Sequence, residues 1–118
     1  LTLYEPVGLT AQLVHGDLSG NLLREGDRPT VIDWPPYVRP VGWALAVAAL
    51  DAVCWDGAEP ALLDRWSDLE AWGQLLLRAL VYRVATLGRR EALGLTRPDD
   101  DAFREVERGA LRLVRERL

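Results

Sequence analysis

The chain has 118 residues, a single cysteine and a formal charge of −4. That length supports one hydrophobic core and excludes two ordinary domains, and the mild acidity argues against a nucleic-acid binder, which carries a basic face. The lone Cys54 excludes an internal disulfide and makes a cytoplasmic setting the default, while the longest apolar run, residues 41–55, is too short to cross a bilayer as a helix, so neither nucleic acid nor a membrane is expected as a partner.

In chain order, Ala11 to Val14 is a short, mostly apolar stretch leading into His15. Residues 21–25 form a second short run with apolar residues at its centre. Gly26-Asp27-Arg28-Pro29 is turn chemistry, because Gly accepts a positive φ and Pro cannot join a central strand. Thr30-Val31-Ile32 is β-branched and apolar and predicts a buried strand. Residues 21–34 therefore predict a β-hairpin. Residues 35–40 hold three prolines and predict a loop. Val41 to Trp55 predicts a helix apolar on nearly every side, hence buried all round. After the break at residues 57–60, a short helix is expected over residues 61–66. A long one is expected over residues 68–87, with Leu69, Trp72, Leu76, Ala79 and Leu80 on one face and Gly88 as its stop. Asp99-Asp100-Asp101 opens a last helix whose acids and terminal arginines complement the helix dipole; its apolar side is Phe103, Val106, Ala110 and Val114. Most of the five tryptophans are expected as core residues. The fold class expected is mainly α with a small β-hairpin (α+β), in one domain over residues 1–118.

The chemistry concentrates in His15-Gly16-Asp17-Leu18-Ser19-Gly20-Asn21 and in Val31-Ile32-Asp33-Trp34. An Asp and an Asn share one tight loop, and a second Asp ends an apolar strand. A hairpin folds its ends together, so Asn21 and Asp33 are expected side by side, with Asp17 at the same end. Phosphoryl transfer needs one carboxylate to accept a hydroxyl proton, and oxygen donors to hold Mg²⁺ on nucleotide phosphates. Gly16 and Gly20 are expected to permit the sharp backbone path between these groups.

Over residues 13–34 this pattern resembles the aminoglycoside phosphotransferase and choline kinase-like family, whose fold is similar to that of protein kinases. Gly16, where protein kinases carry Arg, resembles the small-molecule branch, and Ile32-Asp33-Trp34 resembles the family's metal-binding Asp followed by an aromatic. The resemblance implies that Asp17 is the catalytic base and that Asn21 and Asp33 bind Mg²⁺. His15 is grouped with Asp17 as a catalytic residue: a role as general base is the weaker reading, and the favoured one, as in kinase-like loops, is that it packs beneath the loop and bonds backbone, holding Asp17 in place. Ser19 is grouped with Asn21 and Asp33 as nucleotide-binding. ATP and Mg²⁺ are then the cofactors, and a small-molecule hydroxyl is the acceptor. Residues 13–21 would be the catalytic loop, 21–34 the metal-binding hairpin and 41–117 a helical scaffold. Three residues separate Asp17 from Asn21 where the family pattern has four. The family's Asp early in the following helix is absent; the first acid there is Asp51, which either bonds the loop backbone from a buried helix or, as the favoured reading, marks that helix's solvent end. The chain reaches its loop motif almost at once and has no lysine, so a kinase-like C-terminal lobe is expected, with the N-terminal lobe and its phosphate-binding Lys elsewhere. The arginine bias, with abundant Ala, Leu and Gly, suggests a GC-rich bacterial source.

Other readings compete. A non-catalytic kinase-like module for nucleotide or protein binding, or a truncated fragment without activity, would carry the same motif with its shortened loop. Ser19 as a hydrolase nucleophile would need His15 on the same loop, and the Gly-x-Ser-x-Gly spacing is not met. Asp99-Asp100-Asp101 as a metal cluster is weaker than a solvated helix start. Trp34 and Tyr37 lie beside the loop in sequence and are candidates to touch a cationic acceptor.

Overall fold

The computed structural model describes residues 3–118. Four short strands precede three helices: β1 (Ala11–His15), β2 (Leu22–Glu25), β3 (Arg28–Val31), β4 (Pro36–Pro40), α1 (Val41–Trp55), α2 (Trp72–Ala92) and α3 (Asp100–Arg115), with a 3₁₀ turn at Pro60–Asp64 between α1 and α2. The strands form two separate antiparallel pairs, β1 with β4 and β2 with β3. The domain is thus a compact α+β unit of three helices and two small sheets. No helix among the described residues is long and apolar enough to cross a membrane.

Helix α1 is the centre. Its apolar composition leaves no polar face, and every residue from Gly42 to Cys54 is buried or half-buried. Trp43, Ala46, Val47 and Leu50 meet Leu75, Leu76, Ala79 and Leu80 of α2, with Ala110 and Val114 of α3 closing the third side. Trp72 is buried, and its indole N–H donates to the Leu63 carbonyl at 2.6 Å, which satisfies the one polar atom of that ring. Trp43 is buried as well, but Trp34 and Trp55 are 57% and 38% exposed, so the tryptophans divide between core and surface.

Four expectations are corrected. Residues 36–40 are a strand and not a loop: β4 pairs with β1 in the register Ala11↔Pro40 to His15↔Pro36. In a two-stranded sheet each strand keeps one unpaired edge, and Pro36 and Pro40 share the same period-two phase, so their missing N–H groups fall on one side. Val38, in that phase, gives its carbonyl to the Arg39 guanidinium at 2.7 Å, which marks the open edge. Pro29 likewise sits inside β3, opposite Arg24, leaving Gly26-Asp27 as the turn, with Gly26 at φ +61°. Second, Thr30, Val31 and Ile32 are exposed, because the hairpin stands out from the helices. Third, α2 begins at Trp72, since Ala71 takes φ +58° and interrupts any helix running from residue 68. It passes through Gly88 and ends where Gly94 adopts φ +70°. There the Gly94 N–H bonds the Glu91 carbonyl at 3.0 Å and the Leu95 N–H bonds the Arg90 carbonyl at 2.9 Å, a Schellman closure. Fourth, Asp100 at the start of α3 is not solvated: it is buried, pairs with Arg90 at 2.6 Å and accepts the Arg97 N–H at 2.8 Å, clamping α3 to the end of α2.

Candidate functional site

The loop after β1 links one sheet to the other. Its first residue, Gly16, donates its N–H to the Pro35 carbonyl at 3.1 Å. Gly16 does not need a positive φ; a methyl group there would overlap the Tyr37 ring, so this residue is glycine because an aromatic side chain presses on its backbone. Gly20 does take a positive φ, +80°, and the turn closes with the Asn21 N–H on the Leu18 carbonyl at 3.0 Å. Tyr37 is fixed in turn by Trp43 and Tyr82, whose rings lie 5.6 Å from it.

His15 accepts the Asp17 backbone N–H on Nδ1 at 3.0 Å. That bond occupies the Nδ1 lone pair, so the ring proton of the neutral imidazole belongs on Nε2. Nε2 is buried without a partner among the described residues, and the ring stands 6.0 Å from that of Trp34. His15 therefore shapes the loop through the backbone of Asp17, and its one accepting nitrogen is not free to take a substrate proton.

The Asp17 side chain is 43% exposed and accepts a hydrogen bond from Arg83 Nη2 on Oδ1 at 2.9 Å. The same guanidinium forks onto Asp51: Nε donates to Oδ1 at 2.9 Å and Nη2 to Oδ2. Asp51 is 2% exposed, about one turn before the end of α1. The reading of Asp51 as a solvent-facing helix end is overturned, and its link to the loop runs through Arg83 and not through loop backbone. Burial pushes the Asp51 carboxyl up from the ordinary carboxylate range, against the pull of Arg83, with Asp17 adding to the rise. For Arg83, burial opposes the charge, but its bonds to Asp51 and Asp17 outweigh that and hold the guanidinium still more firmly protonated.

Asn21 folds back on the loop, its Nδ2 donating to the Asp17 carbonyl at 2.7 Å and reaching Asp17 Oδ2 at 3.5 Å. Its backbone carbonyl accepts the Ile32 N–H at 2.8 Å, which carries the hairpin ladder one step past β2 and sets Asp33 beside the end of the loop. Asp33 is exposed, takes φ +49° and accepts no hydrogen bond among the described residues. Non-glycine residues rarely adopt that conformation, though Asp tolerates it better than most. Ser19 Oγ donates to Asp56 Oδ2 at 2.8 Å, binding the loop to the end of α1.

These donors suit a hard divalent cation. With its Nδ2 committed to Asp17, Asn21 keeps its amide oxygen unbonded among the described residues, and the Asp33 carboxylate is likewise unengaged there. Among the described residues no group of three or more His, Cys, Asp or Glu side chains forms a metal cage, at Asp99–Asp101 or elsewhere; an ion held by Asn21 and Asp33 would complete its shell with phosphate oxygens and water.

Arg83 is the residue that motif reading missed. Its signal was present: Leu76, Leu80, position 83 and Leu87 recur at helical spacing, so a cation interrupts the apolar stripe of α2, just as Asp51 interrupts the apolar run of α1. Two opposite charges on two buried faces call for each other. Compared with protein-family models, curated proteins and solved structures, the chain matches none of them.

Proposed function

We propose that this chain carries the catalytic segment of an ATP- and Mg²⁺-dependent phosphotransferase of the aminoglycoside phosphotransferase and choline kinase-like type, which moves the γ-phosphoryl group of ATP to a hydroxyl of a small molecule. The observation that carries the reading is the half-exposed Asp17 carboxylate, held on one oxygen by Arg83 at 2.9 Å, with Asn21 folded against it and Asp33 across the hairpin base. In this reading Asp17 orients the acceptor hydroxyl and takes its proton. Asn21 and Asp33 hold the metal, which when bound neutralises charge on the phosphates. His15 and Gly20 shape the loop, and Ser19 braces it from the nucleotide side. The kinase-like C-terminal lobe assigned to residues 1–118 contains no lysine, so contact with the α- and β-phosphates is assigned to a partner lobe. The cytoplasm, where ATP is available, is the setting.

A second reading is a non-catalytic kinase-like module. It draws on the Asn21 amide, which closes the turn onto the Asp17 carbonyl across a loop one residue shorter than the family pattern.

ADP release by the full-length protein across a panel of hydroxylated metabolites separates the two. Turnover that chelation of Mg²⁺ abolishes, and that Asp17→Ala lowers by about 10²–10⁴-fold, supports the enzyme. Asp17→Ala should leave the fold intact, because Arg83 keeps Asp51. An Asp17→Ala protein as active as the wild type ends the assignment, and nucleotide binding without turnover on any acceptor favours the module.

A further inference from the structure

Between the core and the loop acid runs a graded chain of charge. The side chains of Asp51, Arg83 and Asp17 are 3%, 18% and 43% exposed, in that order. Asp51, locked in α1, takes the guanidinium on two of its nitrogens and so fixes its plane, since an Arg fork meets a carboxylate in a defined geometry. With its plane fixed, the second N–H of Nη2 has little freedom of direction, and it donates to Asp17 Oδ1 at 2.9 Å. Among the described residues the other oxygen, Oδ2, meets only the Asn21 amide, at 3.5 Å, the outer limit of a hydrogen bond.

We infer that Arg83 is the positioning residue for the transfer step: anchored by Asp51, it holds one oxygen of the Asp17 carboxylate and leaves the other turned to the acceptor hydroxyl. This rests on the phosphotransferase reading of Asp17. Arg83 touches neither substrate nor metal and acts through Asp17 alone. His15 and Asn21 pin the main chain of Asp17, but that leaves its carboxylate free to turn about its side-chain bonds. The pair in the core supplies the rigidity from α1 and α2. Such placement matters because an error of about 1 Å in a reacting group costs about 10²-fold in rate.

The test is ADP release by the full-length protein, with kcat and KM measured separately for ATP and for the best acceptor. Arg83→Gln is expected to lower kcat by about 10²-fold with KM for ATP little changed, and Arg83→Lys to recover part of the loss, since an ammonium supplies charge without the fork. On an Asp17→Ala background, Arg83→Gln is expected to change the residual rate no further. Arg83→Gln leaves Asp51 buried without its cation and risks unfolding; the Arg83→Gln/Asp51→Asn pair removes that charge and carries the same expectation. A folded Arg83→Gln or paired variant with wild-type kcat overturns the inference. So does an equal further loss when Arg83→Gln is added to Asp17→Ala, since Arg83 would then act elsewhere. If Asp17→Ala itself keeps full turnover, or the wild type shows none, the phosphotransferase reading fails and the role of Arg83 goes with it. An inactive Asp17→Ala beside a fully active, folded Arg83→Gln defeats the positioning role alone.

Discussion

Leu50, Leu63, Leu75 and Leu76, on the helical side, are 2% exposed or less, whereas every residue of β2 and β3 is exposed. The two regions are held by different physics. The helices bury an apolar face against one another and draw their stability from that burial. The β2–β3 hairpin rests on its own ladder and its Gly26 turn, with Leu22, Leu23, Val31 and Ile32 between 40% and 54% exposed. Asn21 and Asp33 lie at the base of the thin region, and Asp17 lies where the two regions join. A well-packed body thus carries a loop and hairpin whose side chains remain open to a ligand, and Arg83 with Asp51 brings the rigidity of the first to the acid of the second.

That contrast can be broken or sharpened by substitution. Leu76→Ala, in the centre of the helical face, is expected to cost about 2–5 kcal/mol in chemical denaturation; a loss below 1 kcal/mol, on the order of a surface change, would mean that the helices are not the stabilising half. At the junction, Gly16→Ala forces a methyl into the Tyr37 ring and is expected to cost about 1–3 kcal/mol, with a change in the near-ultraviolet signal of the Tyr37, Trp43 and Tyr82 cluster. A variant as stable as the wild type, with that signal unchanged, would show that Tyr37 does not press on the loop.

Cys54 gives a pH test of the packed side. Burial, with a smaller part from Asp51, pushes its thiol up to about 11 from an ordinary value of 9.0. The folded protein therefore keeps the proton where the unfolded chain has released it. The stabilisation is full below pH 9 and is lost as the pH climbs through 11, a change of at most about 3 kcal/mol. Denaturation curves between pH 8 and pH 11 should show the decline, and Cys54→Ala should flatten it; a wild-type curve no steeper than that of Cys54→Ala removes the effect. The smallest response is expected from the hairpin, where Ile32→Ala should shift stability by no more than about 0.5 kcal/mol. A larger loss there would mean that the hairpin is packed against the body in solution.

Local pattern was enough for the elements whose signals lie in neighbouring residues. Helix α1 runs from Val41 to Trp55 as its apolar run predicts, and α3 starts in the Asp99–Asp101 acids. The hairpin is framed by Gly26 and by the β-branched run after it. Where a residue type admits two outcomes, pattern did not decide. Pro36 and Pro40 read as a loop until β1 took the edge away from their missing N–H groups; Gly88 reads as a stop, yet of the two it is Gly94 that takes the left-handed turn. In the candidate site, residues 15–21 and 33 drew notice through their types and spacing. Arg83 did not, because 66 positions separate it from Asp17 and a lone Arg on a helix is usually a solvated one.

By itself, then, the order of residues determined where the helices and the hairpin lie and which loop bears the unusual acids, since hydrophobic period, turn chemistry and capping all act over a few residues. Only the folded chain decided that β1 would pair with β4, that Asp51 would be buried and not solvated, and that one guanidinium would serve two carboxylates. The cost of burying a charge depends on which distant groups arrive beside it, and that is a property of packing.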